Sequence, residues 1–438
     1  MIKRFRYWDS IPLILAIFIL GGYFFHLSSL FPDRTGMIGG VFTIWLIGVI
    51  IGEGLLIWRI PKRDKWLFPL VMILVGWGLL ILTRLTPTLA IRQAIWLIVA
   101  LCMMLMMIIS PVSIRLLIRW SWWITGGGVI LLVATFFIGV HPSLPIGAPT
   151  LWLSLNRLFI QPSELLKLAL ILIFATQISQ YRWRNIIIIW DGVIALFIFQ
   201  RDFGVAVLFI AVLWQLAYLA GIHWRILLVS LIGMLILALI GYGLFPIIRL
   251  RVAIWLNPWV DVVGDSYQLV QSLSAFADGG LFGLGLGIGN PTQIPLAHSD
   301  FIFSAIAEEW GLWGIFVLMA LLALLIGRCL VIGARQSNSI YRFWAWGIGA
   351  IFITQNGMIM AGALRILPLT GMPFIFVSYG GSSLVVSMMM VGVLLRLSVV
   401  SDDANTDIPR PKTYWWAILM GLGAIFAVAF YWAVLWGG

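Results

Sequence analysis

Ionisable side chains at the ends of long apolar runs, or within them, have the strongest claim to chemistry in this chain. A charge near hydrocarbon is costly and persists where it is paired or used. Asp300 stands in His298-Ser299-Asp300-Phe301-Ile302-Phe303, where a long polar connection meets an apolar run. A carboxylate set against Phe301 and Phe303 is partly desolvated, which strengthens its hold on a proton and suits a general base. The same carboxylate would equally serve as N-cap of the following helix. Glu164 and Lys167 form a second pair, in Gln161-Pro162-Ser163-Glu164-Leu165-Leu166-Lys167. Pro162 and Ser163 suit a helix start, with Ser163 as N-cap, and i,i+3 spacing puts carboxylate and ammonium on one face. Two chemistries fit: a capped helix end with a snorkelling lysine, or a cation just below a membrane surface that meets a lipid-anchored pyrophosphate. Glu308 and Glu309 lie deeper in the Asp300 run. Two adjacent acids cannot both face lipid, so at least one is expected to find a partner inside the protein.

Other tracts carry weaker signals. Gly279-Gly280-Leu281-Phe282-Gly283-Leu284-Gly285-Leu286-Gly287-Ile288-Gly289 has the look of a nucleotide loop, but it follows no strand and opens no βαβ helix. It reads as a flexible outer loop whose backbone amides can approach a substrate or partner. Val377-Ser378-Tyr379-Gly380-Gly381-Ser382-Ser383 begins just inside an apolar run, where small residues permit close helix packing. The histidines, His26, His141, His223 and His298, are widely separated, and Cys102 and Cys329 form no pair by spacing. Neither set has the spacing of a zinc site or a disulfide frame.

The elements that must position these groups are membrane helices. Of the 438 residues, 62% are hydrophobic and 10% charged, and the mean hydropathy is +1.09; the solvent for such a surface is lipid. Tryptophans such as Trp58, Trp66, Trp120, Trp122, Trp123 and Trp183 cluster at run ends, where indole favours the headgroup layer. The formal charge of +11 is scattered over short loops, which argues against a nucleic-acid surface. Met1 to Arg6 is basic and precedes an apolar run without a small-residue cleavage site, so a retained first span is expected.

Thirteen runs are long enough to cross about 30 Å of hydrocarbon: Ile11–Phe31, Met37–Trp58, Leu67–Leu82, Gln93–Ile109, Ser121–Val140, Glu164–Ser179, Ile186–Gln200, Phe203–Ala220, Ile226–Phe245, Phe301–Gly327, Phe343–Leu364, Ile375–Leu397 and Tyr414–Trp436. Each is expected to be helical, because backbone polar groups in lipid must be satisfied within their own segment. With the N-terminus in the cytoplasm, most of the 27 basic residues fall in cytoplasmic loops, as the positive-inside tendency requires. The C-terminus then lies outside. The pair flanking Gln200-Arg201-Asp202 is read as two passes joined by a tight outer turn, with one long helix as the alternative. Two long outer connections result, His141 to Ser163 and Pro246 to Asp300, and the second is too long to be a mere link.

Four of these segments, in this order, resemble the SEDS family (shape, elongation, division and sporulation; RodA/FtsW/SpoVE-like) of lipid II polymerases. Gln161-Pro162-Ser163-Glu164 with Lys167 resembles that family's QPSE…K element. Ser266-Tyr267-Gln268 and the glycines after it resemble GYQ…GGLxGxGxG. Ala297-His298-Ser299-Asp300-Phe301-Ile302-Phe303, then Ala307-Glu308-Glu309-Trp310-Gly311, resembles AHTDFIF…AEELG. Pro368-Leu369-Thr370-Gly371 through Ser383 resembles PxTGxPxPFxSYGGSS. Arg201 departs from the family's QPDLG element, which has proline there, while Asp202 and Gly204 match; Pro295-Leu296-Ala297 lacks an acid often found after that proline.

The resemblance implies an all-α polytopic membrane protein: two extra N-terminal helices in residues 1–61, a ten-helix core in 62–401 with a large outer loop at 246–300, and a linker and extra helix in 402–438. The extra spans are expected at the periphery of the core, away from the substrate cavity. It further implies a peptidoglycan glycosyltransferase that joins glycan from lipid II at the outer face of the bacterial cytoplasmic membrane. Asp300 would be the base of an inverting transfer. Glu164, Lys167, Asp202, Arg249, Arg251, Gln268, His298 and Ser382 would bind substrate, the cations steadying the departing pyrophosphate. The implied partners are lipid II, the undecaprenyl-linked glycan, the bilayer and a class B penicillin-binding protein that supplies transpeptidation. No cofactor is certain; a divalent cation, Mg or Mn, is compatible with the chemistry, although no ligand set is readable. Rival readings are a flippase or transporter of lipid-linked precursors, and a polymerase or ligase of another lipid-linked sugar such as O-antigen.

Overall fold

The computed structural model describes residues 11–109, 114–140, 151–155 and 158–402. In chain order its helices are α1 (Ile11–Leu30), α2 (Thr35–Arg59), α3 (Leu67–Leu85), α4 (Pro87–Ile109), α5 (Ile114–Arg119), α6 (Ser121–Ile138), α7 (Pro162–Ser179) and α8 (Trp183–Phe199). They continue with α9 (Phe203–Leu219), α10 (Trp224–Leu244), α11 (Pro246–Leu256), α12 (Tyr267–Gly279), α13 (Ile302–Ala334), α14 (Ser339–Ala363) and α15 (Gly381–Asp402). Nine helices among the described residues are long and apolar enough to cross a membrane. The described residues divide into two compact units, one within 11–109, 275–328 and 373–402, the other within 114–274 and 329–372.

In the first unit α3 is buried on nearly every side, which explains why Leu67–Leu85 is apolar around its whole circumference. Helices α1, α2, α4 and α15 all pack on it. On α2 the buried residues Ile38, Val41, Trp45, Val49, Gly52 and Leu56 recur at three- and four-residue steps, a single stripe on a helix otherwise open to lipid. Helix α4 runs close against α15: a Cβ on Gly392 would lie 2.7 Å from the Met104 carbonyl oxygen, so only hydrogen fits there.

In the second unit α7 is the enclosed helix, with α6, α8, α9 and α14 around it. Helix α10 has exposed apolar side chains around its circumference, as expected where lipid is the solvent. A small antiparallel sheet of β1 (Gly139–Val140), β2 (Trp152–Leu155) and β3 (Leu158–Ile160) precedes α7.

Twelve of the thirteen expected spans coincide with helices; Tyr414–Trp436 lies outside the described residues, as do His141 and the basic residues of the N-terminus. The Gln200-Arg201-Asp202 segment is a turn between two helices, with Arg201 at φ 61°, a conformation closed to proline. Several boundaries differ: α4 starts at Pro87, six residues before Gln93, and α14 at Ser339, four before Phe343. Helix α6 stops at Ile138, because Gly139 and Val140 pair with β2. Ile375–Gly380 is not helical, and α15 starts at Gly381. Helix α13 extends to Ala334 but breaks at Gly311 (φ 62°, ψ −161°).

Candidate active site

Asp300 belongs to the first unit and is half-buried, two residues before α13 begins. Its segment is held by the stretch that precedes α15. The Tyr379 N–H donates to the His298 carbonyl (2.9 Å), and the His298 ring meets the Tyr379 ring edge-on. The Ser378 hydroxyl donates to the Ser299 carbonyl and accepts from the Phe374 N–H. Gln93 of α4 clasps the same stretch: its Nε2 donates to the Ser378 carbonyl (3.3 Å) and its Oε1 accepts from the Gly380 N–H (3.2 Å). Phe303 stacks on Phe374, closing the apolar side. Burial holds the His298 imidazole below its usual range and so favours its neutral form. Ser382 is buried in the first turn of α15. The Val377–Ser383 tract, expected as a packing surface, is thus also the scaffold of the acid's segment.

The glycine-rich stretch is not a free loop. The break at Gly311 releases two carbonyls of α13, and the loop takes them: the Leu284 and Gly285 N–H groups donate to the Glu308 and Glu309 carbonyls at 2.9 and 3.0 Å. In return the Leu312 and Trp313 N–H groups donate to the Gly280 and Leu281 carbonyls. Gly283, at φ 77°, passes so close that a Cβ would sit 2.3 Å from the Glu309 carbonyl oxygen. The glycines are therefore required for contact and backbone conformation. Both acids are engaged. Glu308 accepts from the Asn290 N–H, and Glu309 accepts from the Gly287 N–H (3.1 Å) and lies 3.5 Å from the Arg84 guanidinium.

In the second unit Glu164, Lys167 and Asp202 come together. The Lys167 ammonium donates to Glu164 Oε1 at 2.6 Å and to Gln355 Oε1 of α14 at 2.7 Å. The lysine is 1% exposed, so it does not snorkel. Nor is Ser163 the N-cap: Gln161 holds that position, and the Ser163 hydroxyl is buried without a hydrogen-bond partner. Asp202 does cap α9, accepting from the Val205 N–H at 3.3 Å, while its other oxygen is buried and unpartnered. Burial pushes its carboxyl up to about 6; the Val205 N–H and the Lys167 charge pull the other way. Arg251 also acts on that carboxylate and donates to the Leu369 carbonyl (3.2 Å), whereas Arg249 is exposed. Gln268 is half-buried on α12.

Sequence reasoning missed Gln93, Gln355 and Arg365. The first two are uncharged amides, Gln93 at the edge of an apolar run and Gln355 beside Asn356 within one, a weaker signal than that of the acids. Arg365, at φ 58°, donates to the carbonyls of Trp255 (2.8 Å) and Leu256 (2.6 Å), while Trp255 Nε1 donates back to the Arg365 carbonyl. This clasp closes the C-terminus of α11, the helix that bears Arg249 and Arg251. Among the described residues no three His, Cys, Asp or Glu side chains converge into a cation site. The described residues do not define a resident metal.

Comparison with known proteins gives this geometry its family. Residues 64–403 match the FTSW_RODA_SPOVE model, described as "Cell cycle protein". The chain is 29% identical over 384 residues to the peptidoglycan glycosyltransferase RodA of Mycobacterium bovis, covering 81% of each chain. It is 36% identical over 306 residues to the probable peptidoglycan glycosyltransferase FtsW of Coxiella burnetii, covering 64% of this chain and 80% of that one. Among solved structures, a chain from work on structural coordination of polymerization and crosslinking by a peptidoglycan synthase complex superposes with a TM-score of 0.68 at 26% identity, covering 78% and 99% of the two chains. The rod shape determining protein RodA of Thermus thermophilus superposes with a TM-score of 0.59 at 25% identity, covering 79% and 98%. The chain belongs to the FtsW/RodA/SpoVE family of polytopic membrane proteins.

Proposed function

We propose that this protein is a peptidoglycan glycosyltransferase that polymerises glycan strands from lipid II at the outer face of the bacterial cytoplasmic membrane. The observation that carries the reading is the family match over residues 64–403, with relatives that are themselves peptidoglycan glycosyltransferases. In this reading the acceptor sugar hydroxyl gives its proton to Asp300 as its oxygen attacks the anomeric carbon of the donor. The carbon–oxygen bond to the donor's pyrophosphate breaks, with inversion. Arg249 and Arg251 of α11 counter the charge that gathers on the departing pyrophosphate. Lys167 and Glu164 act from inside the wall, where their pairing fixes α7 against α14. Gln268, His298, Asp202 and Ser382 contribute to substrate binding. The N-terminus is cytoplasmic and the C-terminus outside. The likeness to a chain of a peptidoglycan synthase complex supports a class B penicillin-binding protein as the crosslinking partner.

The test is purified protein in liposomes with labelled lipid II, products resolved by chain length. Glycan strands longer than the substrate support the reading. Transport of label across the bilayer without strand formation would replace it with a flippase.

A further inference from the structure

The two N-terminal helices precede the family match, which begins at residue 64, yet they are docked at three depths rather than left in lipid. Near one end, the Glu53 carboxylate of α2 pairs with the Arg63 guanidinium, both largely shielded from solvent. Midway, Trp45 is fully buried and its Nε1 donates to the Met72 carbonyl of α3 at 2.9 Å. At the far end, the turn between α1 and α2 places Phe31 under Arg84, whose guanidinium carbon lies 5.2 Å from the ring centroid. Leu30 of the same turn reaches Gly287: a Cβ there would sit 2.8 Å from its methyl group.

Arg84 is the node that links this turn to the glycine-rich loop. From α3 it donates to the carbonyl of Gly289 (3.1 Å) and that of Gly287 (3.4 Å), while Glu309 accepts from the Gly287 N–H and faces the same guanidinium. A guanidinium in a largely water-free setting gains more from an aromatic face than one in bulk water. The loop is in turn spliced into α13 at Glu308–Trp313, on the helix that starts just after Asp300.

We infer that the α1–α2 hairpin is a brace for catalysis: Phe31, acting through Arg84 and Glu309, is a positioning residue that fixes the glycine-rich loop and the entry to α13. The inference rests on the reading of Asp300 as base only for its effect on rate; the bracing itself does not depend on it. Phe31 is half-exposed at a turn, so its replacement leaves the buried stripe of α2 intact.

The experiment compares full-length wild type, Phe31→Ala and Phe31→Trp by hydrogen exchange over residues 280–290 and by lipid II polymerisation, with kcat and KM separated. Losing the aromatic face is expected to speed exchange at the Gly285, Gly287 and Asn290 amides by about tenfold. It is expected to lower kcat several-fold with little change in KM, and Phe31→Trp should restore both. Unchanged exchange in Phe31→Ala would overturn the brace. Faster exchange with wild-type kcat would overturn its role in catalysis, leaving only a structural contact. Should Asp300→Asn prove active, hydrogen exchange would still decide whether the hairpin braces the loop.

Discussion

Replacing Lys167 with methionine isolates what the ammonium does inside the second unit. The Nζ lies 2.6 Å from Glu164 Oε1 and 2.7 Å from Gln355 Oε1, and the paired side chains are 2% and 3% exposed. Lys167→Met keeps the length of the stem but leaves the Glu164 carboxylate enclosed with no counter-charge, a change that costs roughly 3–5 kcal/mol for a buried pair. The double variant Glu164→Gln/Lys167→Met has no charge to strand, and its net cost should be within about 1.5 kcal/mol of wild type. The coupling between the two sites is then several kcal/mol, well above what separate sites show. Reversible unfolding in mixed micelles on all four members of the cycle measures it. Glycan synthesis by the same proteins separates stability from function: the double variant should fold yet polymerise poorly, because α7 loses its tie to Gln355 of α14. Additive effects, or a Lys167→Met cost below about 1 kcal/mol, would refute the enclosed pair and return Lys167 to a helix-end lysine open to solvent.

Three further outcomes follow from the same geometry. The Asp202 carboxyl, raised from 3.8 to about 6 by burial, binds its proton more tightly folded than unfolded, so its contribution is fully present below about pH 4 and is lost as pH rises through 6. That difference is worth about 3 kcal/mol; unfolding across this window should show the slope in wild type and a flat line at this site in Asp202→Asn. Gly283→Ala forces a left-handed alanine and a Cβ into the Glu309 carbonyl, and should destabilise by about 2–5 kcal/mol in the same unfolding assay. Arg365→Ala opens the clasp on α11 and should accelerate hydrogen exchange at 253–257, with a roughly 10–100-fold loss of glycan synthesis if Arg249 and Arg251 are displaced.

The fold is legible wherever lipid is the solvent, because an apolar run long enough to span has little choice but helix. Twelve helices are readable on that ground, including the two on either side of the Arg201 turn, where basic residues at their far ends argue against one long helix. Boundaries fail where small residues allow the backbone to leave the helix. Ile375–Gly380 is as apolar as a span, but backbone groups of Ser378, Tyr379 and Gly380 are taken by Gln93 and His298, partners far away in sequence. The glycine-rich loop is misjudged for the same reason: nothing in its own composition shows that Gly311 breaks α13 and offers it two carbonyls. Of the site, the acids and Lys167 stand out because charge in an apolar run is rare. The amides of Gln93 and Gln355 do not, since an uncharged polar residue in such a run is common and its partner is invisible until the chain folds. Ser163 looks like a cap by type, yet the helix starts two residues earlier than that cap would set it, at Pro162, and leaves the hydroxyl inside.

The most direct measurement of the central claim is the rate of lipid II polymerisation by Asp300→Asn in liposomes, beside wild type matched for insertion and unfolding midpoint. The amide keeps the shape of the side chain within the frame set by Ser378 and Tyr379 but cannot accept the acceptor's proton, so the rate should fall by roughly 10²–10⁴-fold. Near-normal strand synthesis by the well-folded asparagine variant would contradict Asp300 as the base.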